Sequence, residues 1–429
     1  MAAEDAAVIS GLLATTAVKL ADRHVDLLAF GWRRRADRLV NPALDFADLV
    51  AYDDRIRAAL AALVYLGAPA RQHLGGLLNE PMRSAELFAL TYYALATQDG
   101  ELLDATAALT AAIPDLMPAR VAALQWAPVS LLLELAIDSL PLAKRIGLTG
   151  LRHRDCPGLD ERTLAWLRTQ AFDAESLCAV LQLVRDLGRA DLAPAGLRYL
   201  DHAQPAVRLA AAQTLLTLGP LEHHGPACDA LQTLAVGEQD TIATGALRTL
   251  VLHAPARTGP LLVRLASRPE FRRPYLQALG WQGQVDAVPE LIFALEDRQH
   301  GGIAAAALEL ITGSDPGRDG WLGAKPARTG RPPEPGDQLP ANPDDDALPW
   351  PDAPAFAAWW RARRGRFTAD QRYFAGQPLT PSWLSTVLRS GLLPWRPLAA
   401  EHRQRLLRGP LFPTELPADV QRSLLHELK

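Results

Sequence analysis

Apolar residues return along this chain at helical spacing, and the stretch Asp201–Gly219 sets the pattern. Val207, Ala210, Ala211, Thr214, Leu215 and Leu218 recur at i, i+3, i+4, i+7, i+8 and i+11, one face of an α-helix with an alanine-lined packing side. Pro205 suits a first helical turn, Gly219 accepts the left-handed conformation that ends helices, and Pro220 blocks continuation. The same positions recur as Ile242, Gly245, Ala246, Thr249 and Leu250, and again as Ile303, Ala306, Ala307, Leu310 and Ile311. Tyr275, Leu276, Leu279 and Gly280 fit more loosely between them. Helix-end marks at Gly188, Gly219, His253, Gly280 and Gly313 lie 31, 34, 27 and 33 residues apart, the length of a helix, a turn, a second helix and a loop. Val288, Leu291, Ile292 and Leu295 mark the first helix of the last pair. One such pair cannot bury its own apolar side, so neighbours must stack, and residues 131–313 are expected to form a solenoid.

Residues 1–130 are helical without the clean repeat and read as an amino-terminal helical domain. Leu20, His24, Leu27, Leu28 and Gly31 begin one helical face, the run Arg33–Arg35 follows, and Asn41-Pro42 breaks the helix. The next helix sets Leu49, Ile56, Leu60, Leu63 and Val64 inward against charges at Asp48, Asp53, Asp54, Arg55 and Arg57, with Asp54 and Arg57 spaced to pair on the solvent side. Further helices are expected at Ser84–Thr97 and Glu101–Ala112. Residues 314–354 hold ten prolines and the run Asp344–Asp346, so they read as an extended acidic linker. Residues 355–429 read as a small basic helical module that caps the end of the solenoid.

Composition narrows the classes. Alanine and leucine dominate the 429 residues and aromatics are 6%, which favours an all-α chain; the 34 prolines fall largely at helix starts and in the linker. The net charge of −4 gives no general attraction to nucleic acid or to anionic membranes. It is unevenly placed: residues 1–313 sum to −7, residues 314–350 to −3 and residues 351–429 to +6. Cys156, Cys178 and Cys228 cannot make a disulfide framework or a clustered thiolate site. Glu4 and Asp5 stand where a secretory signal would carry positive charge, and the apolar run Val121–Ala143 is interrupted by Pro128, Glu134, Asp138 and Pro141. A cytoplasmic protein without a membrane span is expected.

Two sets of motifs carry a resemblance. The string D-x3-P-A-V-R-x-A-A-A-x2-L-x2-L-G at Asp201–Gly219 resembles the HEAT-type repeats of bacterial proteins. Trp32–Gly67, the unit ending A-L-E-L-I-T-G at Ala307–Gly313, and W-W-R-A-R-R-G-R-F with R-Y-F-A-G-Q-P-L-T-P-S-W-L in Trp359–Leu384 together resemble one largely uncharacterised family of proteobacterial proteins. Some members of that family are associated with type VI secretion gene clusters. The resemblance implies a HEAT-like fold and an accessory role there, as an immunity protein that blocks a toxin or as an adaptor or chaperone that loads a secreted effector.

Candidate chemistry is sparse. His223-His224 with Cys228 matches no usual zinc spacing and reads as loop and core. His153, Asp155 and Cys156 are too close in sequence for triad geometry and read as a turn. Asp344–Asp346 lacks the alternation and distal glutamate of a calcium loop, and phosphate-binding, dinucleotide, zincin and nucleophile-elbow motifs are absent from the sequence. No cofactor, metal or catalytic residue is therefore expected. Binding is the better expectation, on two surfaces. In HEAT-like arrays the second helices line the concave side, where Arg208, Arg248, Arg272 and Arg273 would project. The tail sets Trp359 and Trp360 beside Arg361, Arg363 and Arg364, residue types enriched at interaction hot spots, although covering the exposed end of the last repeat is the favoured role of the two tryptophans. A nucleic-acid-binding HEAT-like protein is the alternative, and the −7 of residues 1–313 counts against it.

Overall fold

The computed structural model describes residues 2–128, 131, 140–152, 172–324, 345 and 348–428, with side chains from residue 15 onward. The chain is all-α: among the described residues the strands are one two-residue pair, Tyr373–Phe374 (β1) against Gln377–Pro378 (β2), antiparallel. Contacts divide it into two units. The first holds residues 1–183, 389–394 and 413–429, and the second holds residues 184–388 and 395–412. The division falls some fifty residues beyond the boundary expected near residue 130, and the carboxy-terminal stretch expected to form one capping module is shared out between the units. Ends of the chain that lie far apart in sequence meet in space, which periodicity does not reveal.

The first unit is built on α1 (Ala2–Leu39), α2 (Phe46–Leu66), α3 (Ala68–Gly76), α4 (Ser84–Thr97), α5 (Gly100–Ala112), α6 (Met117–Trp126) and α7 (Leu142–Arg152). Asp45 caps α2: its carboxylate accepts from the Ala47 and Asp48 amides, and Asp48 accepts from the Asp45 amide in return. Helix α4 is buried from Leu87 through Leu95, apolar all round, and α1, α2, α5 and α6 pack on it. Trp32 stacks on Phe88 at 4.9 Å, and Trp126 meets Phe88 and Tyr92 edge-on. A β-carbon on Gly31 would stand 2.8 Å from Ile56 Cγ1, so glycine there sets how closely α1 and α2 approach.

The second unit carries the repeat. After α8 (Ala174–Asp186) come α9 (Pro205–Leu218), α10 (His224–Leu234), α11 (Asp240–His253), α12 (Pro255–Ala266), α13 (Arg272–Gln282), α14 (Val288–Ala294) and α15 (Gly301–Thr312). Helices α9, α11, α13 and α15 pack in succession, while α10 fills between α9 and α11, and α12 between α11 and α13. All six positions read as the inner face of α9 are buried. Two of the five end marks act differently from expectation. Gly219 follows α9 with extended backbone, φ −67° and ψ 163°, and excludes a side chain because a β-carbon would fall 2.5 Å from the Leu215 carbonyl oxygen. Gly280 lies inside α13, which runs on to Gln282; a β-carbon there would fall 2.8 Å from Ala307 Cα, so Gly280 lets α13 and α15 touch.

Residues 372–388 and 395–412 of this unit cross the carboxy-terminal ends of the repeat helices in turn. Gln404 Nε2 and the Leu411 amide donate to the Arg185 and Asp186 carbonyls at the end of α8. Arg408 donates to Leu218 and Gly219 at the end of α9. Arg372 serves two ends: Nη1 and Nη2 reach the Leu252 and Val251 carbonyls of α11, and Nε reaches Gln282 of α13 at 2.7 Å. Tyr373 donates to Gly283 after α13, and Ala375 and Gly376 donate to Leu310 and Ile311 of α15. The last carbonyls of a helix have no partner within it and carry partial negative charge, so guanidinium and amide donors suit them. Gly283 and Gly313 end α13 and α15 at φ 69° and 66°, and side chains there would also strike the Tyr373 and Ala375 carbonyl oxygens. The capping expected of the tail is thus spread along the row of helix ends.

The stretch read as a linker is packed where it is described. Trp321 is fully buried edge-on to Phe356, the Gly323 amide donates to Trp350, and Asp345 pairs with Arg273. The run then enters α16 (Ala353–Arg363), which packs on α14, and is followed by α17 (Pro381–Ser390) and α18 (Trp395–Leu407); α19 (Ala418–Glu427) belongs to the first unit.

Candidate docking groove

Most arginines singled out by the sequence are engaged within the chain. Arg208 turns back to the His202 carbonyl at 2.9 Å, Arg248 grips Glu401 with two bonds of 3.0 and 2.7 Å, and Arg273 grips Asp345 with two of 2.9 Å. Arg272 lies 3.6 Å from Glu290 and 5.9 Å from the centre of the Tyr275 ring. The four therefore do not present one row of free cations, because carboxylates and carbonyls of the same chain hold them. In the tail, Trp359 and Trp360 are buried, Arg363 lies 4.9 Å over Trp359, Arg361 reaches the Ala357 carbonyl of its own helix, and Arg364 is exposed.

The histidine candidates are structural in their surroundings. His224 Nε2 sits 3.2 Å from the Gly219 carbonyl, and Cys228 is fully buried with Leu231 on α10. Among the described residues no three His, Cys, Asp or Glu side chains gather as a metal ion would need. His153, Asp155, Cys156, Asp344 and Asp346 lie outside the described residues. No helix among the described residues is long and apolar enough to cross a membrane.

The run Arg33–Arg35 separates by rotation about α1, since successive helical residues point about 100° apart. Arg34 pairs with Asp37 in solvent. Arg35 is buried with Asp53, and Asp53, read as outward, is fully buried. Arg33 stays exposed over the Phe30 ring at 5.8 Å.

That last residue belongs to a surface groove of about 440 Å³, walled by α1 and the start of α4 and lined by Arg23, Asp26, Leu27, Phe30, Arg33, Arg83, Ala85 and Glu86. Its floor is apolar and wet: Leu27 is 48% and Phe30 55% exposed. Its corners are cationic. Among the described residues no carboxylate lies within ion-pair distance of Arg23, Arg33 or Arg83, and Glu86 is already occupied in accepting from the Arg83 amide at 2.8 Å. Periodicity misled here because α1 carries two apolar stripes. Ala21, Val25 and Leu28 form the buried one, and Leu20, Leu27 and Phe30 a second that faces out. Adjacent Leu27 and Leu28 are the signal that was available, since one helix face cannot bury both.

Comparison with known proteins yields no match to a family model, a curated protein or a solved structure.

Proposed function

We propose that this chain is a non-catalytic protein-binding scaffold of the bacterial cytoplasm, its second unit a HEAT-like solenoid. The type VI secretion setting implied by the sequence resemblance makes an immunity protein or an effector adaptor the leading roles. The observation that carries the reading is the α1–α4 groove, where exposed Leu27 and Phe30 lie among three guanidiniums that the described chain does not neutralise. Exposed apolar side chains ringed by polar ones mark interaction sites, and arginine with aromatic residues dominates such sites energetically. The succession α9, α11, α13, α15, with α10 and α12 seated between neighbours, supports the solenoid.

Affinity purification of the tagged chain from its native cells tests the reading. Three forms are compared: wild type, R33E/R83E in the groove, and R361E/R364E in the tail. One stoichiometric protein kept by the tail variant and lost by the groove variant is expected. Co-purifying nucleic acid that dissociates with salt, in place of a protein, would overturn the reading and favour nucleic-acid binding.

A further inference from the structure

We infer that the α1–α4 groove receives an amphipathic helix of a partner protein, with an apolar pair at its centre and carboxylates on both flanks. The inference rests on the protein-binding reading and adds the chemistry of what is bound. Leu27 and Phe30, three residues apart on α1, present adjoining apolar surface with Ala85 opposite, the i, i+3 arrangement that receives apolar anchors of a helix laid in a groove. Arg23 precedes this pair by one turn and Arg33 follows it by one, so the two cations stand about 15 Å apart along α1 at 1.5 Å per residue. A bound helix would meet both with carboxylates about three turns apart. Arg83 offers a third contact from the other wall, beside the amino terminus of α4, whose partial positive charge also favours anions.

The other occupants fit less well. A small anion has no use for the exposed phenyl ring, and a small apolar ligand would be left largely in water by an open groove. A polyphosphate backbone would meet Asp26 on the groove wall, and Asp26 has no cation within ion-pair distance among the described residues. A peptide helix satisfies both features at once, burying its apolar side chains on Leu27 and Phe30 and its carboxylates against the arginines.

The test places a photo-cross-linking amino acid at Phe30, and in a second strain at Phe293, an exposed ring of the second unit. Cross-linking is done in the native cells, and the captured peptide is identified by mass spectrometry. That peptide is then synthesised and titrated against the full chain, alongside R23E, R33E and R33K variants whose helical content is checked by circular dichroism. Expected is an acidic amphipathic segment of another protein, captured from Phe30. Its binding should weaken about tenfold or more with either charge reversal and with Glu/Asp→Gln/Asn changes in the peptide, while R33K stays within about threefold. A second copy of this chain, a segment without carboxylates, or binding indifferent to R33E would overturn the inference. Capture from Phe293 alone would keep the protein-binding reading and overturn this groove, and capture from neither position would overturn both.

Discussion

Arg35 in the first unit and Arg372 in the second both hold the returning carboxy-terminal chain, by different chemistry. Arg35 meets an opposite charge: Nε and Nη2 donate to the two oxygens of buried Asp53 at 2.8 and 3.1 Å, while Nη1 and Nη2 donate to the Glu415 and Leu416 carbonyls. Asp53 in turn accepts from the Ala418 amide, so one ion pair fixes the entry to α19. Among the described residues Arg372 meets no carboxylate and donates to helix-end carbonyls. Burial, with the nearby Arg405 charge adding to it, pushes its guanidinium down to about 10. Around it, among the described residues, the His253 Nδ1, His402 Nδ1 and Arg405 Nε atoms are buried without a hydrogen-bond partner. A paired buried charge makes a rigid clamp. An unpaired one must surrender its charge or depend on dipoles, and it leaves a pH signature.

The contrast is sharpest if one partner is removed. Arg35→Ala would leave Asp53 buried without a cation, and a loss of about 3–5 kcal/mol is expected in urea unfolding. Arg34→Ala, one residue away but exposed, should stay within about 0.5 kcal/mol of wild type. If the two substitutions cost the same, the clamp is not what holds α19. Arg372→Ala removes donors to the ends of α11 and α13 and should cost about 2–4 kcal/mol. Arg372→Lys should recover less than half of that, because an ammonium cannot span the two helix ends as the planar fork does. Full rescue by lysine would show that charge alone matters there.

The smallest effects are those of pH, and they have opposite signs within the second unit. Burial, aided by the Arg405, Arg185 and Arg372 charges, pushes His253 down to about 3. Between its ordinary value near 6.5 and 3 the unfolded chain binds the proton more readily, so stability present above pH 6.5 is lost as pH falls through that window. Burial also pushes the Glu309 carboxyl up to about 8, with the Asp315 charge adding to it. The folded chain keeps that proton where an unfolded glutamate would lose it, so stability present below about 4.5 is lost as pH rises toward 8. The two windows overlap from about pH 4.5 to 6.5, where the opposing slopes cancel, so unfolding measured from pH 3 to 9 should show a stability plateau there, with about 1–2 kcal/mol lost on either side. Glu309→Gln should abolish the alkaline fall and leave stability rising up to about pH 6.5, where it levels off; a profile unchanged by it would mean Glu309 is partnered and ionised.

What the sequence revealed follows from the range of the forces involved. Periodicity is local, and α9, α11 and α15 were legible from it, as was the use of glycine at the ends of α9 and α15. The reason for a glycine was not always legible, because Gly280 answers to Ala307 on another helix and Gly219 to its own Leu215. The Arg35 contact to Leu416 spans 381 residues, and nothing in either segment's pattern announces it. The same limit hid the packing of Trp321 and Asp345 in a proline-rich stretch and the partners of Arg248 and Arg273. The groove was half visible: the arginine run was singled out, but which of its members stays free depends on Asp53, eighteen residues away on α2.

Hydrogen–deuterium exchange of the full chain, with and without the protein that co-purifies with it, tests the groove most directly. Slower exchange confined to the Arg23–Arg33 turns of α1 and the Arg83–Glu86 turn of α4 is expected on binding. Protection along α9–α15 or the tail helix α16, with those turns unchanged, would contradict the groove as the docking surface.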